Sequence, residues 1–564
     1  LPGIAINPVG GEGRTVMLNG VPPNNVPVTL GGFNVASAAG SSTSRRLEFD
    51  QISLNTISRI EILQSPTPES PGAALGGSIN MVPRSAFERS KPVFNGSAYV
   101  MMKDNERRLK KTPGGMLEKI HHVRPGFDFS YIVPVNDRFG FTLAGGNSTL
   151  ITPLDFVQNA WRGTGSATST PTATSPGAFP DTPIGRPYLS EFQVREGAKI
   201  SRRSSAGVTV DYKLARNDRL SFGLQYAFSD KPFAYRYLTF QPLRVLPGNF
   251  ATEFTHGDVG AGEIRINNQY RQKAGTTYTP TLVWRHEGPV WKAESGAGLS
   301  HSTNVYSDMD KGFFGNSLAR RTGVTVSFDD SFYLRPQTIT VKDAAGRPVD
   351  PYDINSYALS TSNGDMLNTL DVQRSAYANL RRDFDVRGVP LTLKGGIDVR
   401  NTMRDNRSYR PSFTFRGADG RSTTTPVDPL GSDDSAAVVF DDVNSQRTAG
   451  FGFPKIQFVS NYKYFDLYKA HPDYFNIDRN GEYRSTVSSS KRAEETISSA
   501  RLERASTRFS FFCCWSFSLP SNSMKAFSAP SPFCQPVLTM RRQPPWRSPK
   551  RGAMSNSLLT AARV

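Results

Sequence analysis

The sequence predicts a mainly β protein, with a small α/β unit over residues 1–92 followed by part of a transmembrane antiparallel β-barrel over 93–500. Three observations predict it. Beyond residue 95, apolar and polar residues alternate with a period of two. Short turns alternate with long polar stretches, and no apolar run reaches the length of a membrane helix, which leaves strands as the way to cross a bilayer. The chain has 564 residues, enough for more than one domain, and its 37% apolar content is low for one large soluble core.

In the front unit, Arg14 to Leu18 reads as a strand stopped by the Asn19-Gly20 turn. The glycine-rich run Gly10-Gly11-Glu12-Gly13-Arg14-Thr15 lacks the spacing and the lysine of a phosphate-binding loop and reads as a turn. Phe49 to Ile57 leads into Arg59-Ile60-Glu61-Ile62-Leu63, where Ile60 and Ile62 alternate with charged neighbours as on a half-buried strand. Gly76-Gly77 then permits close backbone approach before a strand at Ser78 to Val82.

The later strands show one apolar face each. Phe127, Phe129, Tyr131, Val133 and Val135 oppose Asp128 and Ser130, and Val208, Val210, Tyr212 and Leu214 oppose Gly207, Thr209, Asp211 and Lys213. Leu220, Phe222, Leu224, Tyr226 and Phe228 form another such face, as do Leu391, Leu393, Ile397 and Val399. One face suits lipid and the other a watery lumen. Short turns are expected at Asn136-Asp137, Arg216-Asn217-Asp218, Glu287-Gly288-Pro289 and Val386-Arg387-Gly388, with long loops at roughly 147–204, 229–276, 302–372 and 401–495. This spacing gives about ten strands, with the short turns on the periplasmic side. A soluble β-sandwich also alternates and is the competing fold.

Charge and cysteine are uneven. Of the formal +18, half lies between Arg504 and Val564, which hold nine basic residues and no acidic one. Cys513, Cys514 and Cys534 are the only cysteines, so a disulfide framework or a cysteine metal site in the first 512 residues is excluded. From Arg501 on there is no Tyr, and acidic residues stop after Glu503. So abrupt a change predicts an out-of-frame, disordered tail over 501–564; a natural basic tail is the alternative. The opening Leu1-Pro2-Gly3 carries no signal peptide and reads as the inside of a domain, which predicts a fragment.

Three segments carry a family resemblance: VMLNGVPP at Val16 to Pro23, ISRIEILQSP at Ile57 to Pro66, and ALGGSINMVPR at Ala74 to Arg84. In this order and spacing they resemble the plug domain of TonB-dependent outer-membrane receptors, with Asn19 where the family usually has Asp and Ser65 where it usually has Gly. The resemblance covers residues 1 to about 500. It implies a plug in a barrel of about 22 strands, uptake of a scarce ligand such as an iron chelate, cobalamin or an oligosaccharide, location in the outer membrane, and energy from the TonB complex. The TonB-binding box and the first part of the plug are not in this sequence, and about ten strands are expected to leave an unpaired edge, so this polypeptide is not expected to work as a receptor.

The plug-motif positions are Asn19, Gly20, Glu61, Gly76, Gly77 and Asn80. Arg45 and Arg46, in the plug loop, are expected to meet an anionic chelate, and Trp161, in a long loop, to stack on a ligand ring. The expected partners are TonB, outer-membrane lipid and a small-molecule or oligosaccharide ligand, with no nucleic acid. Neither a cofactor nor a metal is expected. His121-His122 are adjacent and point apart on a strand, and Asn476, Asp478, Asn480 and Gly481 imitate a calcium loop whose twelfth position, Val487, has no carboxylate. No catalytic constellation is present, so an enzyme is not expected. A non-transporting cell-surface β-protein is the competing function.

Overall fold

The computed structural model describes residues 3–9, 12–38, 56–64, 74, 76–102, 107, 109–166, 179–332, 335–386, 389–423, 433–478, 483–504 and 507–510. The expected tail over 501–564 lies almost wholly outside them.

The front unit contains β1 (Ile4–Val9) and β2 (Glu12–Leu18), which form a hairpin, then β3 (Val28–Leu30), β4 (Phe33–Asn34), β5 (Ile57–Leu63) and β6 (Ser78–Pro83). The last four make a sheet in the order β4-β3-β6-β5, with β3 parallel to β6 and β5 antiparallel to it. Its cores are small: Leu18, Val26 and Ile79 in one, Leu30, Ile57 and Met81 in the other. Ile62 packs on the first, whereas Ile60 is half exposed. The expected burial of both fails because β5 is an edge strand, covered along one side only.

Besides the 17-residue strand Asn316–Phe332, which pairs with Gly262–Glu287, ten strands follow: β7 (Val93–Met101), β8 (Arg124–Pro134), β9 (Phe139–Pro153), β10 (Tyr188–Lys213), β11 (Asp218–Gln241), β12 (Gly262–Glu287), β13 (Trp291–Ser307), β14 (Met366–Val386), β15 (Val389–Tyr409) and β16 (Arg484–Arg504). Each pairs antiparallel with the next, and the sheet closes into a barrel. The open edge expected from the strand count is therefore not seen. Thr507–Ser510 pairs with the end of β16, and the ring is completed by further strands as well as these ten. Three of the expected short turns fall between consecutive strands of this set; Arg387 and Gly388 of the fourth lie outside the described residues.

The faces follow the period-two pattern. Phe222, Leu224, Tyr226 and Phe228 are exposed on β11, as are Leu393, Ile397 and Val399 on β15. An exposed apolar row on a sheet is what a lipid-facing barrel wall requires.

The long polar stretches are not loops throughout. β10 and β12 are 26 residues each, about 85 Å of strand, far beyond a ~25 Å apolar band even when tilted. The surplus continues the wall past the apolar belt and encloses a core of its own. Phe192, Phe240, Ile264, Phe314, Phe328, Phe413, Phe458 and Tyr464 are buried in it. Helix α1 (Asn461–Ala470), capped by the Ser460 hydroxyl accepting from Lys463 N, sets Tyr464, Phe465 and Tyr468 around Phe314. Sequence patterning missed this core because strand residues such as Phe192, Phe240 and Ile264 meet there with residues of short, irregular segments such as Phe458, a tertiary arrangement that period alone does not give.

Candidate functional site between the front unit and the barrel wall

The front-unit motifs are locally self-supporting. Asn19 and Gly20 both take positive φ (52° and 76°), as the tight turn after β2 demands, and Asn19 Nδ2 donates to Gln64 O at 3.2 Å. Glu61 accepts from Asn80 Nδ2 at 3.0 Å and from Arg59 Nε at 2.9 Å. The Asn80 hydrogen bond first, with Arg59 adding to it, holds the Glu61 carboxyl below its ordinary value, against the opposing effect of burial. Asn80 Oδ1 in turn accepts from Thr29 Oγ1 and Gly32 N, both at 3.0 Å, so it ties β5 to β3. Gly77 has φ 103°, and a Cβ there would lie 2.2 Å from Leu63 O; one on Gly76 would lie 2.3 Å from Val21 Cγ2.

Two attachments seat this unit on the inner wall. At one, the backbone after β4 runs along β13: Ala36 N donates to Ser300 Oγ (3.0 Å), Ala38 N to Ser302 Oγ (3.2 Å), and Asn304 Nδ2 donates to Ala38 O (2.8 Å). Ser37 N donates to Asp371 Oδ2 on β14 at 2.8 Å, and all of these groups are buried. Thr277 and Thr279 support the two serine hydroxyls from β12 at 2.8 Å. Gly296 and Gly298 leave room for Phe33, whose ring would be 2.7–2.8 Å from a Cβ at either position. At the other attachment Asp211 is the hub. Its carboxylate accepts from Ala86 N and Ser85 Oγ at 2.8 Å, from Ser221 Oγ at 2.6 Å and from Arg219 Nη2 at 2.8 Å.

Between the attachments lies a cavity of about 940 Å³ on the short-turn side, reached by Glu61 and Asn80 from the front unit and by residues 216–219 near a barrel turn. Its lining is charged and largely internally paired: Arg219 with Asp211, Arg285 with Glu294 at 2.7 Å, Arg400 with Asp398 at 2.7 Å. Tyr377 donates to Glu294 at 2.5 Å, and Arg400 also donates to Asn34 Oδ1 at 2.6 Å. Such a wall is wettable and offers no strong single-sign trap, which suits passage of a polar solute better than its retention.

Of the residues singled out in the sequence, Glu61 and Asn80 line this cavity, while Asn19, Gly20, Gly76 and Gly77 shape the front unit itself. Arg45 and Arg46 lie outside the described residues. Trp161 sits not in a loop but in the strand Phe156–Arg162, opposite Leu189 and partly exposed. It is far in sequence from every cavity-lining residue. Among the described residues no group of three or more His, Cys, Asp or Glu is arranged for a metal. His121 Nδ1 lies 2.7 Å from Leu109 O, and Asn476 and Asp478 belong to the strand Phe475–Asp478. Sequence reading missed Ser300, Ser302, Asn304, Asp371 and Asp211. The signal was available in Gly296, Gly298, Ser300, Ser302 and Asn304: an inner row of small residues is where a wall must accept something close.

Residues 1–78 match the family model of the TonB-dependent receptor plug domain. No curated protein matches the chain. Among solved structures, a mutant of the ferric enterobactin receptor from Pseudomonas aeruginosa, in complex with enterobactin, is similar over 77% of this chain and 71% of its own, at 10% identity and a TM-score of 0.27. A hemophore receptor HasR double mutant from Serratia marcescens, with its hemophore and heme, covers 74% and 69% at 10% identity and a TM-score of 0.22. The copper transporter OprC covers 73% and 75% at 10% identity and a TM-score of 0.21. Likenesses this slight carry no argument about what this chain binds. The matched front unit is thus similar to the plug domain of TonB-dependent receptors, and here it is hydrogen-bonded to the inner wall of a closed antiparallel barrel.

Proposed function

We propose that the chain derives from an outer-membrane receptor that takes up a scarce ligand, an iron chelate, cobalamin or an oligosaccharide, with energy from TonB, and that it has no catalytic role. The observation that carries the reading is the seating of the plug: the backbone of residues 36–38 is held to the inner wall by side-chain hydroxyls, one amide and one carboxylate, an attachment suited to a plug that is to be pulled free. The paired charges of the cavity beneath it support passage of a polar solute. Arg45, Arg46 and Trp161 are proposed ligand contacts. The reading is tested by ligand accumulation in cells carrying the intact gene. Uptake that collapses with the proton-motive force supports it; surface binding without accumulation favours a non-transporting binding protein.

We also propose that 501–564 is an out-of-frame tail and that 93–500 is part of a larger barrel. Retranslating the gene downstream of about codon 500 in the other two frames tests both. Roughly a dozen further alternating strands are expected, and their absence in either frame overturns the idea.

A further inference from the structure

Arg382 is out of place for its face of the barrel. On β13 and β14 the residues Glu294, Tyr377 and Asn379 line the internal cavity, so by alternation Trp291, Arg382 and Phe384 point outward. Leu380 and Leu393, which share that outer face, are half exposed, and Leu393 is the cross-strand partner of Arg382. A guanidinium is thus set into an apolar wall. No carboxylate among the described residues pairs with it, and its Nε is buried without a hydrogen-bond partner. It is held by rings instead: its Cζ lies 4.8 Å from the Trp291 ring centre, directly across the strand pair, and 4.6 Å from that of Phe384.

The height of this group selects its ligand. Arg382 is four residues from the end of β14 at Val386, about 13 Å along the strand and about 10 Å above the short turns once tilt is allowed for. That is the boundary between acyl chains and headgroups, where an arginine is far less costly than at the bilayer centre. Aromatic rings stabilise the cation and fix its plane without neutralising it. The forked donor edge then suits a phosphate bidentately, while Leu380 and Leu393 suit acyl chain. We propose that Trp291, Arg382 and Phe384 form a binding site for the phosphate of one phospholipid in the leaflet on the short-turn side. The proposal rests on reading the barrel as membrane-embedded.

The test uses the full chain, refolded in detergent and delipidated, with retained lipid counted by native mass spectrometry. Phosphatidylglycerol is titrated against a phosphate-free galactosyl diacylglycerol and against inorganic phosphate. The wild type is expected to keep one phosphatidylglycerol more than Arg382→Leu, with at least tenfold tighter binding, and to show no such difference for the galactolipid. Arg382→Lys, which keeps charge and loses the fork, is expected to fall between them. Leu suits a lipid-facing site, so Arg382→Leu is expected to fold, shown by the heat-modifiable gel shift of a closed barrel. Equal retention by folded wild type and Arg382→Leu overturns the site, and so does inorganic phosphate displacing the lipid. Failure of the wild type to enter bilayers overturns the membrane reading itself, a separate and recognisable result.

Discussion

At the scale of single residues, backbone conformation and buried charge make the firmest demands. Gly77 combines a positive φ with a carbonyl 2.2 Å from any added Cβ. Gly77→Val is therefore expected to destabilise the plug by about 2–4 kcal/mol, read as faster proteolysis of the front unit while the barrel still shows its gel shift. Asp308, outside the strands on the long-loop side, is fully buried, and neither carboxyl oxygen has a hydrogen-bond partner among the described side chains. Burial first, and neighbouring Asp365 second, push its carboxyl up to about 8, against the pull of Arg271 and Lys311. The folded state thus binds the proton more tightly than the unfolded state does. Stability is full at pH below the ordinary aspartate value near 3.8, falls as pH rises from there, and levels off above about 8. Asp308→Asn is expected to flatten that slope and to be the more stable protein at pH 8, measured by unfolding across pH 4–9. A slope that survives the substitution assigns it elsewhere.

At the scale of elements, the plug latch joins a segment without regular structure to a regular wall. Asp371→Ala removes the buried carboxylate that accepts from Ser37 N, a loss worth about 1–3 kcal/mol. Its expected effect is local: higher conductance of the barrel in a planar bilayer and faster labelling of a cysteine placed at Ala38, with the wall unchanged. Conductance equal to wild type means that the latch does not hold the plug. These elements differ in how far they were legible. Strand faces and turns follow from period and turn chemistry, so Leu220 to Phe228 and the short turns before β9, β11 and β13 could be read directly. The latch depends on which inner rows meet the plug, a tertiary fact that Ser300 and Ser302 express only as small size. The core around Phe314 and α1 was hidden because strand residues such as Val324, Val326 and Phe328 meet there with residues of short irregular segments, which no single segment's period reveals. Asp308 and Arg382 were illegible because nothing in a sequence tells a buried or lipid-facing charge from a solvated one.

At the scale of the whole molecule, the long-loop side is joined by a buried ionic chain. Arg236 Nε donates to Glu196 Oε1 at 2.8 Å, with both side chains essentially inaccessible. Arg447 lies 3.8 Å from the other Glu196 oxygen and 2.8 Å from Asp155, bringing the 441–447 segment against the wall. Asn444 accepts from Gly115 N at 3.1 Å and donates to Met116 O at 2.9 Å, and Arg236 Nη1 donates to Gly115 O at 3.4 Å. Three stretches remote in sequence therefore depend on one carboxylate. Glu196→Ala leaves Arg236 charged, buried and uncompensated, an expected loss of about 3–5 kcal/mol. Because Arg447 and Gly115 share the network, the loss is expected to appear as protease cleavage near residues 441–447 before the barrel unfolds. A buried pair can be replaced as a unit at little cost, since both desolvation penalties vanish together. Glu196→Leu combined with Arg236→Met is thus expected to recover most of the stability lost by Glu196→Ala. If the double variant is no better than the single one, Glu196 serves chiefly Arg447, and the chain is organised by the loop contact rather than by the pair within the wall.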